Sequence, residues 1–396
     1  MPRMFNFSAA VAMLLTCSLA NVSFAADAPA NDSATASDRA EAVIEKGLSF
    51  LKTQQRPDFG WQGGSDPPAI SAIVLKAYMQ NPKYDAEDKF LDKGFDKLLS
   101  YQKPDGSISA DLLATYNTAI AISAIAVSKE AEYKDQLDKA LNYLRNLQWT
   151  DKIEGIPDQS KKVDPADPNF GGFGYGKHGR ADLSNVNFAV DALKDAGMKS
   201  DDPAFQAALK FVTRCQNNSE TNDQKWAGDD GGFIYTCADG GQSPAGEYTG
   251  PDGRTMLRSY GSMSYAGLKS MIYAGLTKDD PRVKAAWKWV TNNWTLDENP
   301  GMKANDAQAA ESGLFYYYHT LARALRAYGQ PVIIDSQGRP HDWRIELIDK
   351  LAAEQDKDGS FHGTQKWMEA KPVLATSFAV LALQEAQADL KDHPAK

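Results

Sequence analysis

Asp191 and His319 stand out because they sit where charge is costly. Asp191 interrupts the apolar run Phe188-Ala189-Val190-Asp191-Ala192-Leu193, and His319 follows Phe315-Tyr316-Tyr317-Tyr318. A carboxylate on an apolar helix must find a cation or keep its proton. Arg323, one turn beyond His319, and Lys269 are the available cations. The alternative is a neutral Asp191 able to donate a proton into an apolar cavity. His319, near a helix N-terminus, has its cationic form disfavoured by the macrodipole and suits the role of neutral acceptor or donor. Aromatic faces stabilise positive charge by roughly 0.5–2 kcal/mol for each well-placed ring. Tyr260 and Tyr318 are therefore expected as aromatic or hydroxyl partners, with Asn187 and Arg323 as orienters. The chemistry these residues suit is proton transfer: isomerisation or cyclisation rather than group transfer.

Other chemistries find no support in the local sequence. His178, His319, His341, His362 and His393 show no HxH or HExxH spacing, and the cysteines form no CxxC, so neither a metal nor a cofactor is expected. No G-x-S-x-G elbow occurs. The glycine-rich run from Gly171 to Gly176 follows a helix rather than a strand and lacks a Lys-Ser/Thr ending, which makes it a turn and not a phosphate loop. Asp229-Asp230 lies on a long loop, where an acidic pair caps a turn or is solvated; recognition of a metal-bound diphosphate is the alternative.

The elements that must position these residues follow from an internal repeat. An amphipathic helix, a Gln and a Gly-containing turn beside an aromatic or apolar residue recur along the chain. Examples are Gln55 with Gly60-Trp61, Gln102 with Gly106, Gln148 with Gly172-Phe173, Gln216 with Gly232-Phe233, and Gln355 with Gly359-Ser360-Phe361. The copy that stands fifth along the chain is degenerate and carries Trp294 in place of the Gln, before Pro300-Gly301. Each turn leads into a second helix, apolar nearly all round, over 70–79, 112–127, 183–196, 257–273, 314–328 and 373–386. A helix apolar on every side must be buried on every side. Six outer–inner pairs therefore predict an all-α fold, an (α/α)6 toroid. A linear solenoid would need polar end repeats, which are absent. One column near the inner N-termini reads Ser71, Asn117, Asn187, Ser264, His319 and Thr376. These are expected either to form a polar ring around a central cavity or to cap their helices locally. Asn117, Asn187, Ser264, Arg323 and Thr376 are the expected ligand contacts. The long connections, over 151–181 and 217–255, all fall at the end where inner helices begin, which is where a site belongs.

The chain has 396 residues, 42% of them hydrophobic, and 43 Lys+Arg against 52 Asp+Glu. That composition excludes a disordered chain, and a net charge of −9 without a basic cluster gives no footprint for nucleic acid. No apolar run beyond residue 25 approaches the roughly 20 residues needed to cross a bilayer. Arg3, the apolar stretch from Ala9 to Leu15 and Ser23-Phe24-Ala25 make residues 1–25 a signal peptide cleaved near Ala25, with export to the periplasm or medium. A lipoprotein signal at Cys17 is the alternative. Residues 26–36 are expected as a flexible leader and 37–390 as one toroid domain. Cys215 and Cys237 are expected either as one disulfide or as two buried thiols.

The Gln…Gly-aromatic repeats resemble the QW-type repeats of squalene–hopene cyclases. The chain from about residue 37 to 386 looks like a prenyltransferase/squalene oxidase repeat protein of the terpenoid-cyclase superfamily. The resemblance implies a toroid that folds a polyprene in an aromatic cavity after protonation by an Asp-x-Asp-Asp acid; here Asp191 is only a positional substitute for that motif. Tyr318-His319-Thr320 also resembles the Tyr-His-Thr segment of protein prenyltransferase β subunits, whose His binds zinc. The positions of their other two ligands hold Tyr260 and Ser262, which argues against that metal. The expected partner is thus a small apolar or isoprenoid-like ligand. A non-catalytic envelope scaffold or ligand-binding protein is the second expectation, and carbohydrate processing, with a wide polar cleft, the third.

Overall fold

The computed structural model describes residues 30–110, 112–150, 163–176, 179–304 and 306–394. The signal peptide expected over residues 1–25 and Cys17 lie outside them. Helices alternate along the chain. The first pair is α1 (Ala30–Thr53) and α2 (Ala69–Met79), the second α3 (Lys89–Leu99) and α4 (Ala114–Ser128). Then come α5 (Lys134–Asn146) with α6 (Leu183–Asp195), and α7 (Pro203–Arg214) with α8 (Gly261–Tyr273). The last two pairs are α9 (Pro281–Asn292) with α10 (Leu314–Tyr328), and α11 (Trp343–Glu354) with α12 (Pro372–Asp392). Short hairpins β1 (Glu247–Thr249) with β2 (Thr255–Leu257), and β3 (Val332–Ile334) with β4 (Pro340–Asp342), decorate the connections.

The even-numbered helices pack side by side, and α12 packs on α2, while α1 packs on α11 and α12. The ring is closed. Gln384 Nε2 donates to Ala77 O at 2.7 Å across the seam, and Gln387 Nε2 to Ser37 O at 3.2 Å. The inner helices are buried because both their faces meet protein, as their all-round apolar character predicts. Several outer helices start on aspartate caps: Asp202 accepts from Ala204 N, Asp280 from Arg282 N, and Asp342 from Arg344 N.

The repeat grammar has a structural reason. Each repeat glutamine donates to a carbonyl of the next outer helix, at its start in four of the five. Gln55 reaches Phe90 O (2.7 Å), Gln102 reaches Gln136 O (2.8 Å), Gln148 reaches Ala204 O (2.9 Å) and Gln216 reaches Arg282 O (2.9 Å). Gln355 completes the circuit on Val43 O in α1, at 2.9 Å. In the degenerate copy Trp294 Nε1 donates to Glu346 on α11 at 3.0 Å. The turn glycines are needed where the chain touches that same helix: Gly171 has φ +85°, and a Cβ there would run into Ala207 O.

Boundaries differ from expectation in places. The inner helix expected from residue 112 begins at Ala114, because Leu113 takes a left-handed φ of 56°. The one expected from 257 begins at Gly261, since Thr255–Leu257 pairs as β2. Helix α1 already starts at Ala30, inside the stretch 26–36 expected as a leader. Cys215 and Cys237 are free thiols, both buried; burial, then the Cys237 thiol beside it, pushes Cys215 well above the usual thiol range.

Candidate active site

A cavity of about 400 Å³ opens among the N-terminal ends of the inner helices, the loop-rich end. Its wall is largely apolar: Ile70 and Ile73 from α2, Ile120 from α4, Met263 from α8, Leu374 and Phe378 from α12. Aromatic rings run round one side in contact. Tyr175 stacks on Tyr116 at 5.6 Å between centroids, Tyr116 meets Phe188 at 5.0 Å, Phe188 meets Tyr316 at 5.6 Å, and Tyr316 meets Phe378 at 5.8 Å. Offset and edge contacts of this kind rigidify a wall as well as fill it.

Polar groups concentrate at two places in this wall. At the first, Tyr116 donates to Ser184 Oγ at 2.6 Å, and Ser184 donates to Asp182 Oδ1 at 2.6 Å. Asp182 caps α6 through Asn185 N (2.9 Å), and burial raises its pKa against those hydrogen bonds. Beside it the Tyr175 and Tyr235 hydroxyls share a hydrogen bond of 2.5 Å. At the second, Glu369 comes from the loop before α12 and accepts from Tyr316 N (2.7 Å) and Phe315 N (3.3 Å) at the start of α10. Burial raises its pKa to about 7, outweighing the helix N–H groups that favour the carboxylate. Trp367 and Met368, just before it, both adopt left-handed φ (57° and 67°), a strain of about 1–3 kcal/mol each that this turn sustains to bring the carboxyl inward.

Beneath the cavity the centre of the ring is filled. Ile73, Ile120 and Phe188 form a floor, and under it a pocket of about 10 Å³ is lined by Lys76, Ser123, Asp191 and His319. Deeper still lies an ionic cluster. Lys269 pairs with Asp191 at 2.6 Å, Lys76 and Arg323 pair with Asp195 at 2.6 and 2.8 Å, and Arg323 also faces Asp191 (3.6 Å) and Glu385 (3.8 Å). Burial lowers the Lys269 pKa to about 8, opposed by Asp191. Burial would raise Asp195, but Arg323 and Lys76 outweigh it and hold it far below the usual range. His319 is pushed well below its ordinary value by burial first, then by Lys76, Arg323 and Lys269. It stacks on Phe378 at 5.6 Å, and its Nδ1 has no hydrogen-bond partner.

The sequence-based site residues separate accordingly. Tyr260 and Asn117 line the cavity, but the Asn117 amide is engaged with Ala69 N (3.1 Å) and Leu112 O (2.8 Å). Asn187 lies just behind the wall and donates to the Tyr316 hydroxyl at 3.0 Å. Asp191, His319 and Arg323 face the centre, below the floor, and Asp191 is ion-paired rather than a free neutral acid. Tyr318 turns outward and donates to Leu296 O at 2.6 Å. The polar ring dissolves into turn latches: Ser71 accepts from Trp61 N (2.7 Å), Ser264 from Phe233 N (3.0 Å) and Thr376 from Phe361 N (3.0 Å), each holding the repeat's turn to the inner helix. Asp229 and Asp230 cap loop turns at Ser219 N (2.9 Å) and Gly232 N (2.8 Å). Among the described residues no three His, Cys, Asp or Glu side chains converge as metal ligands.

Tyr316, Tyr116, Phe188 and Glu369 were not singled out by sequence. Helical spacing does mark Tyr316, which shares a face with His319 and Arg323 where Tyr318 does not. Glu369 carries no local signal, because a strained turn outside the helical repeat delivers it.

No family model matches the chain, and no curated protein matches it. Solved structures do resemble it. The type II terpene cyclase MstE from Scytonema superposes with a TM-score of 0.54 at 13% identity, covering 89% of this chain and 99% of that one. A variant of MstE in complex with its substrate, geranylgeranyl dihydroxybenzoate, gives 0.51 at 11% identity, with 90% and 100% covered. A novel α-amylase from Clostridium perfringens gives 0.52 at 13% identity, with 87% and 97% covered. One architecture thus hosts unlike activities, and identity this low carries shape alone. The chain has the α/α-toroid fold of the type II terpene cyclases.

Proposed function

We propose that this protein binds an isoprenoid or similar lipid in the central cavity and acts on it by proton transfer of the isomerase or cyclase type. The observation that carries the reading is the cavity itself: about 400 Å³, apolar and aromatic, with Glu369 the single acidic side chain among the described residues of its lining. That volume lies in the roughly 300–1,000 Å³ range of sites that take whole small molecules. A wide polar cleft suited to carbohydrate is the opposite of such a wall. The proton-handling role expected of Asp191 and His319 passes in this reading to Glu369, with the Tyr260 and Tyr316 hydroxyls beside the bound chain. MstE, whose substrate carries a geranylgeranyl chain, supports the isoprenoid class by shape.

The test is mass spectrometry of an organic extract of the purified protein, followed by incubation of the identified lipid with wild type and with Glu369→Gln. A polyprenyl chain that wild type converts and the variant only binds supports the proposal. An extract without lipid, together with no binding of added polyprenols, overturns it. Lipid bound by both and converted by neither leaves the ligand-binding protein without chemistry. Export belongs to the same proposal, and an N-terminus at Ala26 on the mature protein would support it.

A further inference from the structure

We propose that the ligand's polar group is a protonated amine, so that the cavity selects an apolar chain with a cationic, hydrogen-bond-donating head. The inference rests on reading the cavity as a ligand site and specifies what that ligand carries. It begins with charge. Among the described residues no Lys, Arg or His side chain lines the cavity, and the one carboxyl in its wall, Glu369, has no ion-pair partner. Both Glu369 oxygens accept backbone N–H groups, with Leu314 N a third partner, and the four lone-pair sites of a carboxylate leave room for a donor brought by a ligand.

Proton accounting at the other polar place leads to the same answer. A hydroxyl has one proton to give. That of Tyr116 goes to Ser184, and that of Ser184 goes to Asp182. Tyr175 and Tyr235 share one hydrogen bond, and Tyr235 also lies within reach of Asp182. The buried carboxylate thus draws these protons away from the cavity and leaves oxygen lone pairs facing it. The donors that remain in the wall, on Tyr260, Ser262, Tyr316 and Trp367, are all neutral. A phosphate or carboxylate head would meet acceptors and a carboxyl, with no cation among the described lining residues to offset them. An ammonium would meet acceptors, Glu369 and a wall built partly of the Tyr116, Phe188, Tyr316 and Phe378 rings, and a ring that turns its face to the ligand favours positive charge.

The experiment is displacement of Nile red from the purified protein at pH 7.5 by farnesylamine, farnesol and farnesoic acid, which share one chain and differ in the head. Farnesylamine is expected to bind at least about tenfold more tightly than farnesol, with farnesoic acid weakest. Glu369→Gln should cut the amine's advantage over farnesol to about twofold. Should that variant fail to fold, Tyr116→Phe removes an acceptor from the other polar place, and the three-ligand series on the unaltered protein already decides the matter. Equal displacement by all three, or preference for the acid, overturns the amine inference and leaves the cavity reading standing. If Nile red binds but none of the three displaces it, or if it does not bind at all, both fall.

Discussion

Glu369 couples the cavity to pH. Its folded pKa is about 7 against an ordinary 4.5, so between those values the folded chain holds a proton that the unfolded chain has released. Its contribution to stability is therefore full below about pH 4.5 and is lost as pH rises through about 7; at about 1.4 kcal/mol per unit the loss amounts to about 3 kcal/mol. Urea unfolding of wild type and Glu369→Gln across pH 4.5 to 8 measures this: the wild type should lose stability relative to the variant by about that amount. A constant difference across the range would show that the carboxyl is solvated. His319 gives a second residue-scale prediction. Buried, and near Lys76, Arg323 and Lys269, its ring should stay neutral, so its NMR shifts should not titrate where an ordinary histidine does. A midpoint at the ordinary histidine value would mean that the cluster beneath it is open to water.

At the scale of elements, the glutamine clamps explain both the repeat and its limits. Gln216 is buried and its Nε2 donates to Gly231 O (3.0 Å) and Arg282 O (2.9 Å), tying its own turn to the next outer helix. Gln216→Ala would leave two carbonyls without that donor and should cost about 1–3 kcal/mol in chemical denaturation. Gln55→Ala, at a half-exposed position where water can replace the amide, should cost less. Equal costs would mean that the clamp's burial does not matter. These clamps and the apolar inner helices made the toroid legible in sequence, because each is a periodic, local signal repeated round the ring. The site was legible only in part. Its location at the loop-rich end followed from connection lengths, but the hydroxyl column was ambiguous, since a small polar residue at a helix start serves a turn as readily as a cavity. Ser264 and Thr376 serve turns. Tyr316 was recoverable from its spacing to His319, whereas Glu369 depends on a left-handed Trp367-Met368 turn that no periodicity announces.

Seen whole, the ring has two halves with different physics: a cavity under the loops, and a charged plug where the inner helices end. The plug draws Lys76 from α2, Asp191 and Asp195 from α6, Lys269 from α8, Arg323 from α10 and Glu385 from α12, so it reads the register of most of the ring at once. Buried ion pairs are costly to break, about 3–5 kcal/mol when one partner is removed, yet replacing both with apolar residues is often neutral or better. Asp191→Asn should therefore destabilise by about that amount, since it leaves Lys269 buried without its carboxylate. Asp191→Leu combined with Lys269→Met should recover most of the loss, because Arg323 keeps Asp195 and Glu385, and Lys76 keeps Asp195. Nile red binding should survive in the double variant, as the floor of Ile73, Ile120 and Phe188 separates the pair from the cavity. A folded double variant that binds lipid but has lost turnover would instead return Asp191 to the chemistry. One that keeps turnover assigns the pair to holding the helices, and leaves Glu369 as the acid that meets the ligand.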